Sequence, residues 1–375
     1  MDFITNLLSK ALFFELIFLI ILLIGVNIYQ FFYYRKKINQ LTLSSNKQKS
    51  KFSSSTKKNL KITDPPLSLT GELSAEAFNT SNALSNLSNN VNNILMDWIV
   101  VGASVIGKSH IQMNLPCQDN YHYKPLKNGW GLAIISDGAG SAKHSDIGSH
   151  YAAKNAVEET FIKDFLEKDW YNNKAFPTDK EWKNFSVINF YKIRKKLEDY
   201  AKDHQYQPID LACTLIVIFY HAQGILVSHI GDGRAGYKNI KGEWKPLITP
   251  WKGEEANSTI FITSNIWETE EVAKNYIGAN VVRDEITAFT LMSDGCEDAA
   301  FEHSKMDSLT QKWVDPNQPH ENFFNPLISS LKAMKQEKLS NYDIQQKWKK
   351  FLQEGNHVLK NEPDDKTMIL GVLDI

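Results

Sequence analysis

Three short stretches of this chain could each hold a cation. Ile134-Ile135-Ser136-Asp137-Gly138-Ala139-Gly140-Ser141 follows an apolar run from Gly131 to Ile135. Ile230-Gly231-Asp232-Gly233 follows Ile225-Leu226-Val227, and Leu291-Met292-Ser293-Asp294-Gly295 follows Phe289. In each, a strand-like run stops at a carboxylate beside glycine. Such an ending puts an acid at the rim of a sheet, and glycine lets the backbone bend and approach whatever the acid holds. One such ending is only a turn signal. Asp119 and the pair Asp364-Asp365 also flank β-like runs. Several carboxylates at strand ends repel one another unless cations sit among them, and hard divalent ions take oxygen ligands.

Composition narrows the classes. Three cysteines, Cys117, Cys213 and Cys296, lie far apart with no CxxC, which excludes a zinc ribbon and a disulfide framework. None has an arginine five residues on, as a cysteine-dependent phosphatase requires. The net charge of -1 gives no push toward nucleic acid, and 375 residues allow two or three domains.

The elements that must position these acids begin near Trp98. Strands are expected at Trp98–Val105, Tyr121–Tyr123, Gly131–Ile135, Thr214–Ile218, Ile225–Ile230, Arg234–Tyr237, Trp244–Ile248, Thr259–Ser264, Ile286–Met292 and Thr367–Leu373. Helical spacing covers Ser145–Leu166 and Trp182–Tyr200, with Ser141 and Ser145 placed to cap the first. Strands lead, two helices interrupt and strands return, which predicts a layered α+β domain. Residues 300–356 read as helices and loops, either a substrate-side cap or a spacer.

The N-terminal quarter is different. Residues 3–34 are strongly apolar, densest from Leu16 to Val26, and are followed by Arg35, Lys36 and Lys37. About 20 apolar residues span a bilayer, and a basic flank on the C-terminal side marks the cytoplasmic side. The expectation is one transmembrane anchor over 1–34 in the inner (plasma) membrane, with the rest cytoplasmic. Residues 35–97 read as a linker: Arg35 to Thr63 hold nine Lys/Arg and no Asp/Glu, and a Ser/Asn-rich run follows Pro65-Pro66. Such a tether of ~60 residues reaches about 40–45 Å, and its charge favours an anionic leaflet.

Taken in order, Gln118-Asp119, Asp137-Gly138, Gly231-Asp232-Gly233-Arg234-Ala235, Ser293-Asp294-Gly295 and Asp364-Asp365-Lys366-Thr367 resemble the successive motifs of the metal-dependent Ser/Thr protein phosphatases, the protein phosphatase 2C family, and Pro116-Cys117-Gln118-Asp119 resembles its bacterial branch. The resemblance covers about Trp98 to Ile375. It implies a four-layer α-β-β-α sandwich, two antiparallel sheets between helix layers. It implies two Mn²⁺ or Mg²⁺ ions and a third, weaker one. The ligands it assigns are Asp119, Asp137, the Gly138 carbonyl, Asp294, Asp364 and Asp365, with Asp232 for the third ion. It further implies hydrolysis of phosphoserine and phosphothreonine by a hydroxide bridging two cations, with no phosphoenzyme. The implied partner is a phosphoprotein, a Ser/Thr kinase or its targets. Three departures stand out. Asn114 sits where the family has a phosphate-holding Arg, with His110, Lys108 and Lys143 as stand-ins. Gln118 replaces a Glu. Ala139 replaces a His, which leaves His144 as candidate general acid beside Asp119, Asp137 and Asp294, or as a loop histidine. Arg234 reads as a structural partner of a carboxylate. A catalytically silent module that binds a phosphoprotein is the alternative.

Overall fold

The computed structural model describes residues 97–173, 175–253 and 259–374. The expected anchor and most of the expected linker lie outside the described residues. Among the described residues, no helix is long and apolar enough to cross a membrane.

Two five-stranded antiparallel sheets form the centre. The first has the order β1-β14-β9-β6-β7, with β1 Asp97–Val105, β6 Arg234–Asn239, β7 Trp244–Pro246, β9 Ile286–Met292 and β14 Lys366–Asp374. The second has the order β2-β3-β4-β5-β8, with β2 Asn120–Pro125, β3 Gly131–Ser136, β4 Leu215–His221, β5 Gly224–Ile230 and β8 Gly278–Val282. The period-two alternation of side chains builds three cores from these strands. Ala133, Ile135, Ile216 and Ile218 face between the sheets, against Ala235, Phe289, Leu291 and Ile369. Their neighbours Leu132, Ile134, Val217 and Phe219 face outward onto Phe161, Phe165, Trp182 and Phe190. On the far side, Val101, Ala288, Met368 and Leu370 pack against Phe324, Leu331, Trp348 and Leu352. β3 and β4 are buried on both faces, so they read as continuous apolar runs.

Helices supply the outer layers. The first begins as α1 Lys108–Met113, a short turn between β1 and β2. Then α2 Ser145–His150 runs through π-helical Tyr151–Ala156 and Glu158–Ile162 into α3 Lys163–Leu166. After α4 Asp169–Asn173, α5 Asp179–Asp203 starts on a capping box between Thr178 and Glu181. The short α6 Glu270–Tyr276 precedes β8. Beyond β9 come α7 Glu297–Ala300, two small hairpins (β10 Phe301–Glu302 with β13 Gln318–Pro319, β11 Lys305–Met306 with β12 Trp313–Val314), α8 Glu321–Gln336, α9 Asn341–Glu354 and α10 His357–Asn361. Most of 300–356 is thus the helix layer of the first sheet, through Phe324, Leu331, Ile344 and Trp348.

Two local expectations are corrected. Thr259–Ser264 forms a turn: Ser264 Oγ accepts the Phe261 amide at 3.0 Å, and the Ser264 amide donates to the Phe261 carbonyl. Neither Ser141 nor Ser145 caps α2. His144 is the N-cap residue without a side-chain cap bond, and Ser145 Oγ is buried with no partner.

Candidate active site

Antiparallel pairing gathers one end of both sheets. β3 and β5 run the same way on either side of β4, so Asp137 and Asp232 leave at the same end. Asn120 pairs with Ser136, which brings Asp119 beside Asp137. In the other sheet Met368 and Arg234 both pair with Met292. The start of β14, with Asp364, therefore meets the end of β9, with Asp294. Residues from opposite ends of the domain sequence become neighbours because strand direction alternates.

Small side chains hold the acids in place. Ser293 Oγ donates to Asp119 Oδ2 at 2.6 Å and accepts the Thr367 amide at 3.0 Å. Thr214 Oγ1 accepts the Asp137 amide at 3.1 Å. The Asp137 carbonyl and Ala139 amide bond to Thr214 and Ala212, so the Gly138 carbonyl between them is not used by that bridge. Gly295 is required by closeness: a Cβ there would lie 2.0 Å from the Asp365 carbonyl oxygen.

These groups line a cavity of about 480 Å³. Its wall carries Asp137, Asp232, Asp294, Asp364, Asp365, Glu297, Asp298 and Glu362 and, among the described residues, neither Lys nor Arg. Asp119 is buried just beneath, 3% exposed. Burial pushes Asp119 up to about 7, with Asp365 adding to it against the Ser293 hydrogen bond. Burial, then Asp232, Asp364 and Asp119, push Asp294 up to about 8. Asp137 is driven well above the carboxylate range by burial and by Asp119 and Asp294. Burial also raises Asp232 to about 6, with Glu297 adding and Lys252 opposing.

The arrangement fits divalent ions. The donors are all oxygens, and Asp119 Oδ1 and Asp294 Oδ1 are buried with no hydrogen-bond partner among the described residues. Buried carboxylate oxygens left unpaired are costly, whereas a hard cation satisfies them.

The sequence candidates separate into three groups. Asp119, Asp137, Gly138, Asp232, Asp294 and Asp364 come together at the cavity. Asp365 lies beside them but is engaged elsewhere: Oδ1 accepts the Gly107 amide at 2.6 Å, Oδ2 accepts the Gln118 amide at 2.6 Å, and His110 Nδ1 lies 2.9 Å from Oδ2. Asp365 is therefore a latch between β14 and the α1 loop, with both carboxylate oxygens engaged by backbone amides. Of the substrate candidates, His110 lines the cavity through this latch, while Asn114 and Lys143 do not line it. Asn114 ends α1 at φ 55°, exposed to solvent. His144 does not line it either; its ring stacks on Tyr206 at 4.0 Å between centroids. Arg234, wholly buried, bonds Glu297, Asp315 and Asn317. Sequence reasoning missed Thr214, Glu297, Asp298 and Glu362 on the wall. The signal for Glu297-Asp298 was their place in the first turn after Asp294-Gly295.

Comparison with known proteins decides the family. Residues 106–352 match the family model described as Protein phosphatase 2C. This chain belongs to the protein phosphatase 2C family. Membership makes it a protein serine/threonine phosphatase by class. It is similar to serine/threonine-protein phosphatase 3 of Escherichia coli, 28% identical over 286 residues that cover 74% of this chain and 99% of that protein. Among solved structures it is similar to the serine/threonine phosphatase of S. agalactiae (16% identity, 74% of this chain and 100% of that one, TM-score 0.44). It is also similar to that of Mycobacterium tuberculosis (13%, 74% and 99%, TM-score 0.43). The family match spans every acidic position at the cavity except Glu362, Asp364 and Asp365, which lie beyond its end.

Proposed function

We propose that this chain hydrolyses phosphoserine and phosphothreonine in proteins, with two Mn²⁺ or Mg²⁺ ions held by Asp119, Asp137, the Gly138 carbonyl, Asp294 and Asp364, and a third, weaker ion at Asp232. The observation that carries the proposal is the convergence of five carboxylates from five chain segments on one cavity, two of them with unpaired buried oxygens. When bound, such ions supply a hydroxide nucleophile at neutral pH and positive charge for the phosphoryl oxygens. The protein's part is placement. Ser293 and Thr214 fix Asp119 and Asp137 through hydrogen bonds, so the ligand set is built before an ion arrives. Asp365 holds the Gln118 amide, one residue from Asp119. The acidic wall repels a phosphate monoester until cations neutralise it, which makes activity depend on metal.

The test is phosphate release from a phosphopeptide and from p-nitrophenyl phosphate with Mn²⁺, with Mg²⁺ and in excess EDTA. Turnover that persists in EDTA would reject the mechanism. One observation favours the alternative of a silent phosphoprotein-binding module: among the described residues no Lys or Arg lines the cavity. Tight metal binding by calorimetry without phosphate release would establish that alternative.

We also propose that residues 3–34 anchor the chain in the inner membrane, with the phosphatase domain on the cytoplasmic side. The apolar length and the Arg35-Lys36-Lys37 flank support this. Extraction of the full chain by carbonate from isolated membranes would refute it.

A further inference from the structure

Between β10 and β13 the chain makes a hairpin that the fold leaves bare. Leu309 is 92% exposed and Trp313 68%, with Met306 and Val314 also exposed, and none belongs to the three apolar cores. Met306 pairs directly with Trp313 across β11 and β12, so the two stand side by side on one face. The turn is set by Asp307. Its Oδ1 accepts the amides of Leu309 at 2.9 Å and Thr310 at 2.7 Å, and the Gln311 amide donates to the Asp307 carbonyl. Leu309 is thus an apolar side chain presented by an ordered turn, which lowers the cost of ordering on binding.

The base of the hairpin is tied to the cavity wall. Arg234 Nε donates to Glu297 Oε2 at 2.8 Å, and Glu297 lines the cavity. The other guanidinium nitrogens hold Asp315 and Asn317, just past β12, at 2.7 Å each. Asn317 Nδ2 also donates to the Ile248 carbonyl at 2.7 Å. A single buried side chain therefore joins the acidic wall to the apolar hairpin.

We propose that Met306, Leu309 and Trp313 dock the substrate's own polypeptide beside the phosphoresidue, favouring phosphoproteins with an apolar residue and a Lys or Arg flanking it. This rests on the phosphatase reading above. The cavity wall carries many carboxylates and little apolar surface, so affinity for a protein chain must come from surface next to it. The hairpin is continuous with that wall and carries the aromatic and Met side chains enriched at protein interfaces. Asp298, on the cavity wall with its side chain 60% exposed and His303 beside it, complements a basic flanking residue, whereas Glu297 and Glu302 are already paired with Arg234 and Lys305.

The test uses the full chain with Mn²⁺ and three substrates: p-nitrophenyl phosphate, a phosphothreonine peptide with flanking leucine and arginine, and the same peptide with alanine in their place. Trp313→Ala and Leu309→Ser should each raise KM for the leucine-arginine peptide about tenfold at unchanged kcat. Both should leave p-nitrophenyl phosphate turnover unchanged and remove the difference between the two peptides. Leu309→Ser leaves the strand pair intact, which guards against a hairpin that fails to form in the other variant. Parallel loss on all three substrates would overturn the proposal, because the hairpin would then only support the cavity. Unchanged kinetics would overturn it too. So would a solution dimer that Trp313→Ala dissolves with peptide turnover untouched, since a second copy would then be the occupant. A wild-type chain that cleaves p-nitrophenyl phosphate but treats both peptides alike refutes the docking surface alone. One that cleaves no substrate refutes the phosphatase reading itself.

Discussion

Replacing Asp365 by alanine removes the latch while leaving the carboxylates that face Asp137 and Asp294 in place. Asp365 is 2% exposed, and its oxygens accept two backbone amides, Gly107 and Gln118, at 2.6 Å each. Each amide left without an acceptor costs about 1–3 kcal/mol. Two therefore cost about 2–6 kcal/mol, and water entering from the adjoining cavity lowers this to about 2–4 kcal/mol. Against a domain stability of about 5–15 kcal/mol this is a large loss. With a urea slope of about 3 kcal/mol per M, the midpoint should fall by about 1 M. Asp365→Asn should sit between, because one oxygen still accepts while the amide nitrogen opposes a backbone donor. The assay is urea unfolding followed by tryptophan fluorescence in EDTA, so that metal binding does not contribute. A second readout is the midpoint rise on adding Mn²⁺, which should shrink because Gln118 no longer holds Asp119 in place. A midpoint within about 0.2 M of wild type for Asp365→Ala would refute the latch, since even one stranded amide predicts more.

Four further outcomes follow from the same geometry. Folded-state values of about 7 for Asp119, 8 for Asp294 and 6 for Asp232 lie above the unfolded carboxylate value of about 4, so the folded chain keeps protons that the unfolded chain has lost. Stability of the metal-free domain should fall as pH rises from about 4 to about 8, and Mn²⁺ should raise Tm more at the upper end, measured by thermal melts with and without EDTA. Asp294→Asn should raise the metal-free Tm at the upper end of that window by removing one repelling charge, yet abolish both the Mn²⁺ response and phosphate release; Asp137→Asn should do the same. Arg234→Met should cost about 2–4 kcal/mol in urea unfolding: breaking a buried pair costs about 3–5 kcal/mol, less here because Glu297 and Asp315 are partly exposed and regain water. Gly107→Ala should lower Mn²⁺ affinity in calorimetry, because its Cβ would fall 2.3 Å from the Asp364 backbone and push that ligand away.

Much of the site was legible because a strand that stops at Asp-Gly leaves a local signature. Asp137, Asp232 and Asp294 carry it, and the apolar runs before them are β3, β5 and β9. The turn at Thr259–Ser264 was misread because Ile260, Phe261 and Ile262 form a continuous β-branched and aromatic run flanked by threonines, as in a strand. What decides against a strand there is a serine hydroxyl three residues on and a place against the helix-side core. His144 and His110 show the same limit. Both lie near a motif in sequence, yet His144 stacks on Tyr206 while His110 reaches a carboxylate 255 positions away.

Sequence alone determined most of the strands, though not Gly278–Val282, together with the order of the acids and the cation-binding character of their residue types, since these depend on alternation and side-chain chemistry within a few positions. Tertiary structure decided what each of two adjacent aspartates on the cavity wall is bonded to. Asp364 and Asp365 are chemically identical and both line the cavity, so residue type does not separate their roles. Only the approach of Gly107, Gln118 and His110 from distant segments assigns Asp365 to holding the fold and leaves Asp364 facing the other acids.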